Sequence, residues 1–242
     1  MKGRSRINIV LRLVAATGYA TMTAGALFAQ AASSDEVVRK VDAAVQSRVE
    51  NVLGFTDIEH YAVYRGDDQT HPDAEMTVRD TYTKGKGKTY TILKQSGSAI
   101  VLHYGLHPLL KDEEDINEPG QVDTSWFTSA NYNMTLQSGG MQQMNGRECY
   151  ALKITPKHKA TNLIDGTLWV DARDGSIVKV KGIASKKPSI WAGTTHMMRD
   201  YVNIKGYPMA THARAESDSF FLGQLVVTID YSDYQLQIRP QR

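Results

Sequence analysis

The chain contains a single cysteine among its 242 residues, and this scarcity sets a first limit. Cys149 has no second cysteine to pair with, so an internal disulfide is excluded and a packed core must stabilise the fold. We expect Cys149 to be an ordinary small buried residue. It also lies far from the N-terminus, so the chain lacks the cysteine to which a bacterial lipoprotein attaches its lipid anchor.

A long hydrophobic run is also missing. The most apolar stretch, residues 13–28, is interrupted by threonines and glycines, whereas a membrane-spanning helix needs about 20 mostly apolar residues. Basic residues without any acid precede this stretch, and the small-x-small pattern Ala29-Gln30-Ala31 follows it. This order predicts a cleavable signal peptide over residues 1–31. We therefore expect an extracytoplasmic mature chain that is neither lipidated nor membrane-spanning.

An excess of charge of one sign is absent from the expected mature chain. The signal holds 4 of the 28 basic residues and no acid, which leaves 24 basic against 26 acidic residues, a net charge of −2. No basic face remains to attract nucleic acid, so we predict no nucleic-acid partner. The length from residue 32 to residue 242 suits one large β domain or two small ones, and we interpret it as a single domain.

Arrangements of residues that would support catalysis or metal binding are not found. Of the 7 histidines, His103 and His107 are four residues apart, but Gly105 and Pro108 argue against a helix that presents both. There is no Gly-x-Ser-x-Gly nucleophile motif, and we expect the adjacent acids of residues 112–115 to be solvated. The sequence predicts no catalytic residue, no metal site and no cofactor, and hence a protein that is not an enzyme.

One strong helix is predicted, from Ser33 to Leu53. Ser33 and Glu36 have the spacing of a capping box, and Gly54 is interpreted as the stop signal. A stripe of valines recurs at helical spacing: Val38, Val41, Val45, Val49 and Val52. Because valine is a poor helix former, this helix must be stabilised by packing on another apolar surface.

Most of the remaining chain has the two-residue period of β-strands. We predict strands over residues 56–65, 75–84, 88–95, 98–104, 147–155, 166–172, 176–183, 193–204, 207–217 and 223–236. Lys84-Gly-Lys-Gly-Lys88 lacks the spacing of a phosphate-binding loop and is interpreted as an exposed hairpin connection, and Asp174-Gly175 as a hairpin turn. Between the two groups of strands we expect a short helix over 106–116 and either a lid or a surface loop over the rest of 105–145.

The strands alternate between one apolar face and one polar face, as in a long antiparallel sheet. Only one good helix and one weak helix are available to cover the apolar face. The economical solution is mainly β (α+β): a strongly curved, incomplete half-barrel of about ten to eleven strands, with the N-terminal helix and the 105–130 segment over its concave side. Two short helices cannot fill such a concavity, so an apolar cavity is expected.

The alternation also selects candidate site residues. The residues predicted to contact an apolar ligand are Leu152, Ile154, Leu168, Val170, Val178, Val180, Val227, Ile229, Tyr150 and Met197. The lid residues are Val38, Val41, Val45, Val49, Trp126 and Phe127. Trp169, Trp191 and Tyr201 are further aromatic candidates, and structural packing is the alternative role for every aromatic residue of this set.

Three short motifs resemble a known group of proteins. Asn145-Gly-Arg-Glu-Cys-Tyr-Ala-Leu-Lys-Ile-Thr-Pro156 is similar to a strand of the outer-membrane lipoprotein-sorting proteins, the LolA/LolB/RseB-like superfamily. Gly166-Thr-Leu-Trp-Val-Asp171 with Asp174-Gly-Ser-Ile-Val-Lys179 resembles their next hairpin, and Arg199-Asp-Tyr201 followed by Gly206 and Pro208 fits the following strand pair. The detailed resemblance covers roughly residues 140–236.

The resemblance implies a half-barrel of about eleven antiparallel strands with a helical lid that encloses acyl chains. The implied function is that of a soluble periplasmic carrier or binding protein for lipoproteins or other acyl-chain-bearing molecules, with an inner- or outer-membrane protein as a further partner. Two alternatives stay open. One is an RseB-like sensor that regulates a membrane protein partner, and the other is a structural β domain whose concave side is closed.

Overall fold

Eleven antiparallel strands follow an N-terminal helix in the computed structural model, which describes residues 32–66, 68–186, 192–219 and 223–240. The strand order is β3-β2-β1-β11-β10-β9-β8-β7-β6-β4, and β5 pairs with β6 beside β4. Within these described ranges β3 and β4 do not pair with each other, so the sheet is open. This confirms the predicted mainly β fold with an incomplete half-barrel. The expected signal over 1–31 and the candidate Trp191 lie outside the described residues.

The sheet and its helices have the following bounds. The strands are β1 (Val52–Arg65), β2 (Ala74–Thr83), β3 (Gly87–Gly97), β4 (Tyr132–Leu136), β5 (Gln142–Met144), β6 (Arg147–Pro156), β7 (Ile164–Asp171), β8 (Ile177–Ala184), β9 (Ala192–Ile204), β10 (Tyr207–Ser219) and β11 (Gly223–Ile238). The helices are α1 (Ser34–Asn51), α2 (Ala99–Val101), a π-helical turn (Leu102–Leu106) and α3 (His107–Ile116), and a 3₁₀ turn covers Val122–Thr124.

The strand predicted over 98–104 is wrong, because this segment is helical. The Ser98 hydroxyl accepts a hydrogen bond from the amide of Val101 and so caps a helix that continues through the π-helical turn into α3. In a short apolar run, the spacing of the apolar residues does not distinguish a strand from a buried helix. Gly105 lies inside the π-helical turn and Pro108 in the first turn of α3, where a proline is tolerated, so neither residue breaks the helix.

Helix α1 begins as the sequence predicts but ends earlier. The Ser33 hydroxyl accepts from the Glu36 amide at 3.2 Å, and the acid side chains of the first turn favour the helix N-terminus. The chain passes from α1 directly into β1, so Gly54 is a strand residue rather than the helix stop. A side chain at this position would meet the Tyr82 carbonyl oxygen at 2.8 Å, so a close backbone approach is the reason for the glycine.

The valine face of α1 lies on one half of the sheet. Val37, Val41 and Val45 are buried against an apolar cluster contributed by β4, β6, β7 and β8: Tyr132, Leu152, Ile154, Ile164, Leu168, Val170, Ile177 and Val180. Polar contacts fix the helix along the same strands. The Leu136 amide donates to the Ser34 hydroxyl at 3.0 Å, and Lys40 donates to the Ala172 carbonyl at 3.3 Å. This half of the concave face is therefore tightly covered.

The second helical segment covers the opposite half of the sheet. Leu106 of the π-helical turn and Leu110 of α3 are buried against an apolar cluster from β1, β2, β10 and β11: Tyr61, Val63, Ala74, Met76, Val78, Ala213 and Ile229. The two helical segments thus cover different strands of one concave face. Across the described part of the chain, none of the helices has the length and apolar character needed to cross a membrane.

The turn between β7 and β8 supplies a test of how α1 packs. Gly175 has φ +74°, and a Cβ atom there would lie 2.5 Å from the backbone of Lys40 in α1. We predict that Gly175→Ala lowers the free energy of unfolding by roughly 2–5 kcal/mol, from left-handed backbone strain plus displacement of the helix. Urea unfolding of purified protein measures the change.

Gly146 is the matched control for this substitution. It has φ +75°, and nothing lies within 4 Å of its hypothetical Cβ atom. Gly146→Ala should therefore cost only the backbone term, roughly 1–2 kcal/mol. Equal losses in the two variants would contradict the close packing of α1 on the β7–β8 turn.

Candidate ligand-binding cavity

A cavity of about 340 Å³ lies between the two helical segments, at the centre of the concave face. Val45 and Arg48 of α1 line one side of it, and Leu109 and Glu113 of α3 line the other. Residues of β8 to β11 form the floor, and the loop that carries Trp126 and Phe127 contributes to the wall. The volume falls in the range of small-molecule sites, which is about 300–1,000 Å³.

The cavity extends down to the sheet at β10, because this strand carries alanines there. Ala210, Ala213 and Ala215 line the cavity and lie directly opposite Tyr201, Arg199 and Met197 of β9, in that order. A bulge between Ala210 and His212 keeps all three alanines in register with these partners. A methyl side chain fills little of the space above a sheet, so the alanine row keeps this part of the concavity open. This row was not selected from the sequence.

The predicted ligand contacts divide into two groups. Val180, Val227, Ile229 and Met197 line the cavity, and so do the predicted lid residues Val45, Trp126 and Phe127 and the aromatic candidate Tyr201. The others do not line it. Leu152, Ile154, Leu168 and Val170 are fully buried under α1, where Val38, Val41, Val49 and Tyr150 also pack. Val178 is fully buried outside the cavity wall, and Trp169 donates a hydrogen bond to Gln142 of β5.

The reason for this division is the position of α1. The sequence period shows which side chains share the apolar face. A helix packed on β6 and β7 separates most of the apolar residues of these two strands from the cavity. The central strands β9 and β10 lie between the two helical segments and form the open floor instead.

Charged residues of the cavity wall were not anticipated. The basic residues that line it are Arg48, Lys88, Arg199 and Arg214, and the acids are Glu59 and Glu113. Lys88 lies on β3 with its side chain only 11% exposed, so the interpretation of Lys84–Lys88 as a wholly exposed connection is wrong at its last residue. Glu113 belongs to the acidic run expected to be solvated, yet it faces the cavity from α3.

A buried ionic cluster borders the cavity on β1, β2 and β3. Asp57, Glu59 and Asp80 are each at most 2% exposed, and their carboxylate oxygens lie within 4.8 Å of one another. The Lys88 ammonium lies 3.1 Å from Glu59 and 3.0 Å from Asp80. It also donates to the Tyr90 hydroxyl at 3.1 Å, while Glu59 accepts a hydrogen bond from the Tyr61 hydroxyl.

Burial makes this cluster hold a proton. Desolvation, together with the charges of Glu59 and Asp80, raises the pKa of Asp57 to about 8. Desolvation also raises the pKa of Asp80, to about 6, against the opposing attraction of Lys88. The oxygens of Asp57 accept no hydrogen bond from a described donor, but its carboxyl group is close enough to Asp80 for the two groups to share a proton.

These three acids are the one group in the described ranges whose His, Cys, Asp or Glu side chains converge as metal ligands do. The Lys88 ammonium already lies among them and supplies a cation. The cluster therefore fits the role of a buried, proton-sharing ion-pair network in the wall. His103 and His107 lie elsewhere: His103 stacks edge-on against Tyr104, and the His107 ring forms a hydrogen bond with Gln95.

The cluster predicts how stability changes with pH. The folded-state pKa of Asp57 lies above its unfolded value of 3.8, so folding takes up a proton between these two pKa values. The free energy of unfolding therefore decreases as pH rises from about 4 to about 8. Asp57→Asn cannot ionise, so the variant should lose less stability over this range. We expect the difference to exceed about 1.4 kcal/mol, the equivalent of one pKa unit. Urea unfolding at a series of pH values measures it.

Asp112→Asn provides the control, because it removes an exposed carboxyl group from α3. It should reproduce the wild-type dependence of stability on pH. If Asp57→Asn and wild type lost stability in parallel, the buried Asp57 would not hold the proton.

Comparison with known proteins identifies structures with a similar fold but no close relative in sequence. No protein-family model matches it, and no curated protein matches it significantly. Among solved structures it is similar to a LolA superfamily protein from Nitrosomonas europaea, at 14% identity over 87% of this chain and 96% of that chain, with a TM-score of 0.43. A DUF1329 family protein from Desulfovibrio piger matches at 17% identity over 83% and 93%, with a TM-score of 0.42.

An outer membrane lipoprotein-sorting protein domain from Vibrio parahaemolyticus matches at 15% identity over 84% of this chain and 92% of that chain, with a TM-score of 0.47. The resemblance found in the sequence motifs thus has a counterpart among solved structures. Because the identities are below 25% and the TM-scores below 0.5, this similarity concerns the fold alone.

Proposed function

We propose that the chain is a periplasmic carrier or binding protein for acyl-chain-bearing molecules, such as lipoproteins or other lipids. The observation that carries the proposal is the apolar cavity over the alanine row, which is open between two helical segments. An acyl chain has no polar groups to satisfy along its length, and it gains free energy simply by leaving water for such a cavity.

The composition of the wall supports this ligand class. The sheet contributes Val180, Val227, Ile229 and Met197, and the covering segments contribute Leu109, Ile116, Trp126 and Phe127. The methionine side chain adapts to ligands of different shape, and the aromatic rings supply large apolar surfaces. A cavity of this size is unexpected for the alternative of a structural β domain with a closed concavity.

The covering segments suit the role of a lid. Helix α1 is joined to β1 without a loop, while the second segment begins with the short helix α2 and passes through a π-helical turn into α3. π-Helical turns are frequent at functional sites. A shift of the second segment away from β1 and β2 would widen the cavity without breaking the sheet. The lid assignment of Val45, Trp126 and Phe127 is part of this proposal.

Filling the floor of the cavity should weaken ligand binding. We expect Ala215→Leu to weaken binding of the uncharged apolar dye Nile red at least about tenfold, because the added side chain occupies space above the sheet. Ala210→Leu gives a second, independent variant at the other end of the row. Fluorescence titration of the purified chain measures the affinity, and circular dichroism checks that each variant is folded.

Val202→Leu serves as the control, because Val202 lies on the neighbouring strand β9, is 40% exposed and does not line the cavity. Its affinity for Nile red should equal that of the wild type. Undiminished binding in both alanine variants would show that the dye, and by extension an acyl chain, does not occupy this cavity.

A further inference from the structure

We propose that the ligand of this cavity is an anionic amphiphile whose carboxylate or phosphate head group is bound between Arg48 of α1 and Arg199 of β9. This inference rests on the proposed function, because it assigns the head group of a ligand whose acyl chain lies over the alanine row. It follows from the ionic partners of the four basic residues in the wall.

Two of the four basic residues already have acidic partners. Lys88 is paired with Glu59 and Asp80 in the buried cluster. Arg214 lies 3.1 Å from Glu216 and also donates to the side chain of Gln69 at 3.0 Å. Their charges are therefore compensated within the protein.

Arg48 has no such partner among the described residues. Its guanidinium lies 5.1 Å from the centre of the Trp126 ring, and one of its nitrogens lies 4.0 Å from the Met209 sulfur. Both contacts are weak compared with a carboxylate pair. Burial lowers the pKa of Arg48, and the nearby ionisable groups are tyrosines rather than acids. The Arg48 side chain is partly buried and lines the cavity, and its close contacts are apolar and aromatic.

Arg199 occupies a similar position on the floor. It forms no salt bridge with a carboxylate of the described ranges. Its nearby ionisable groups include Tyr231 and Tyr201, which raise the pKa of Arg199 against the opposing effect of burial. Glu113 acts on it only at longer range. In the register of the sheet, Arg199 lies opposite Val180 on one side and Ala213 on the other, so it is a cation within an otherwise apolar row.

The two guanidiniums face the same space from opposite sides. Both line the cavity, Arg48 from the helix and Arg199 from the sheet, and Tyr201 is a neighbour of both. A charge that is partly withdrawn from water and has no partner is costly, and a guanidinium presents planar pairs of N–H donors that match a carboxylate or a phosphate. An anionic head group would satisfy both cations and join α1 to the sheet while its chain fills the apolar floor.

The test compares ligands that share one chain and differ only in head group: myristate, myristyl phosphate, myristyl alcohol and tetradecyltrimethylammonium. Isothermal titration of the purified chain below micellar concentrations should show one or both anions binding at least about tenfold more tightly than the alcohol. The cationic probe should bind more weakly than the alcohol. Preference for one anion over the other identifies the head group as phosphate or carboxylate.

Arg48→Gln and Arg199→Gln should each reduce the preference for anion over alcohol by about tenfold, since each removes a charge-assisted contact. Arg48→Lys and Arg199→Lys retain the charge and should retain part of the preference. The control is Arg79→Gln, which removes an exposed guanidinium on β2 that does not line the cavity, and it should leave the preference intact. Nile red binding reports whether every variant keeps its cavity.

Two results would overturn the proposal. Wild-type protein that binds anions no better than the alcohol would contradict an anionic ligand, and an unchanged preference in both glutamine variants would contradict these two arginines. In either case intact Nile red binding would leave the carrier function standing. If the wild-type protein did not bind Nile red, the proposed function itself would be rejected.

Discussion

The packing of the α1 valines on β6, β7 and β8 is the contact on which the rest of the structure depends. A sheet with one apolar face must cover it, and α1 is the longest helix available. Its 18 residues span about 27 Å, which is less than the width of an eleven-stranded sheet. The helix therefore buries one half of the face, the second helical segment buries the other, and the strands between them remain open to a ligand.

The open centre combines two properties that the same register produces. Small side chains on β10 leave space above the sheet, and the residues opposite them on β9 bring Met197, Arg199 and Tyr201 into that space. The buried cluster around Lys88 forms a charged border of the cavity near α3. Its acidic side chains retain a proton, and the positive charge of Lys88 is balanced by Glu59 and Asp80. The wall thus offers apolar surface for a chain and two guanidiniums without a described carboxylate partner.

Periodicity predicted the architecture well because strand alternation and turn glycines are local signals. The six strands predicted from residue 147 onward match β6–β11, and Ser33 caps α1 as expected. Contacts between elements that are distant in the sequence were harder to predict. Which apolar residues lie under α1 depends on where the helix crosses the sheet, so Leu152 and Leu168 could not be told from the cavity-lining Val227 and Ile229. The ionic cluster joins Asp57, Asp80 and Lys88 across three strands, and only the register between those strands reveals it.

The central claim is that an acyl chain lies on the alanine row between the two helical segments. Intermolecular nuclear Overhauser effects measure this directly, with alanine methyl groups labelled in the protein and unlabelled methylene protons in bound myristate. The account predicts contacts from the chain to the methyl groups of Ala210 and Ala215, and none to that of Ala151, which is buried in β6 away from the cavity wall. Contacts confined to other alanines, or saturable binding with no contact to this row, would contradict it.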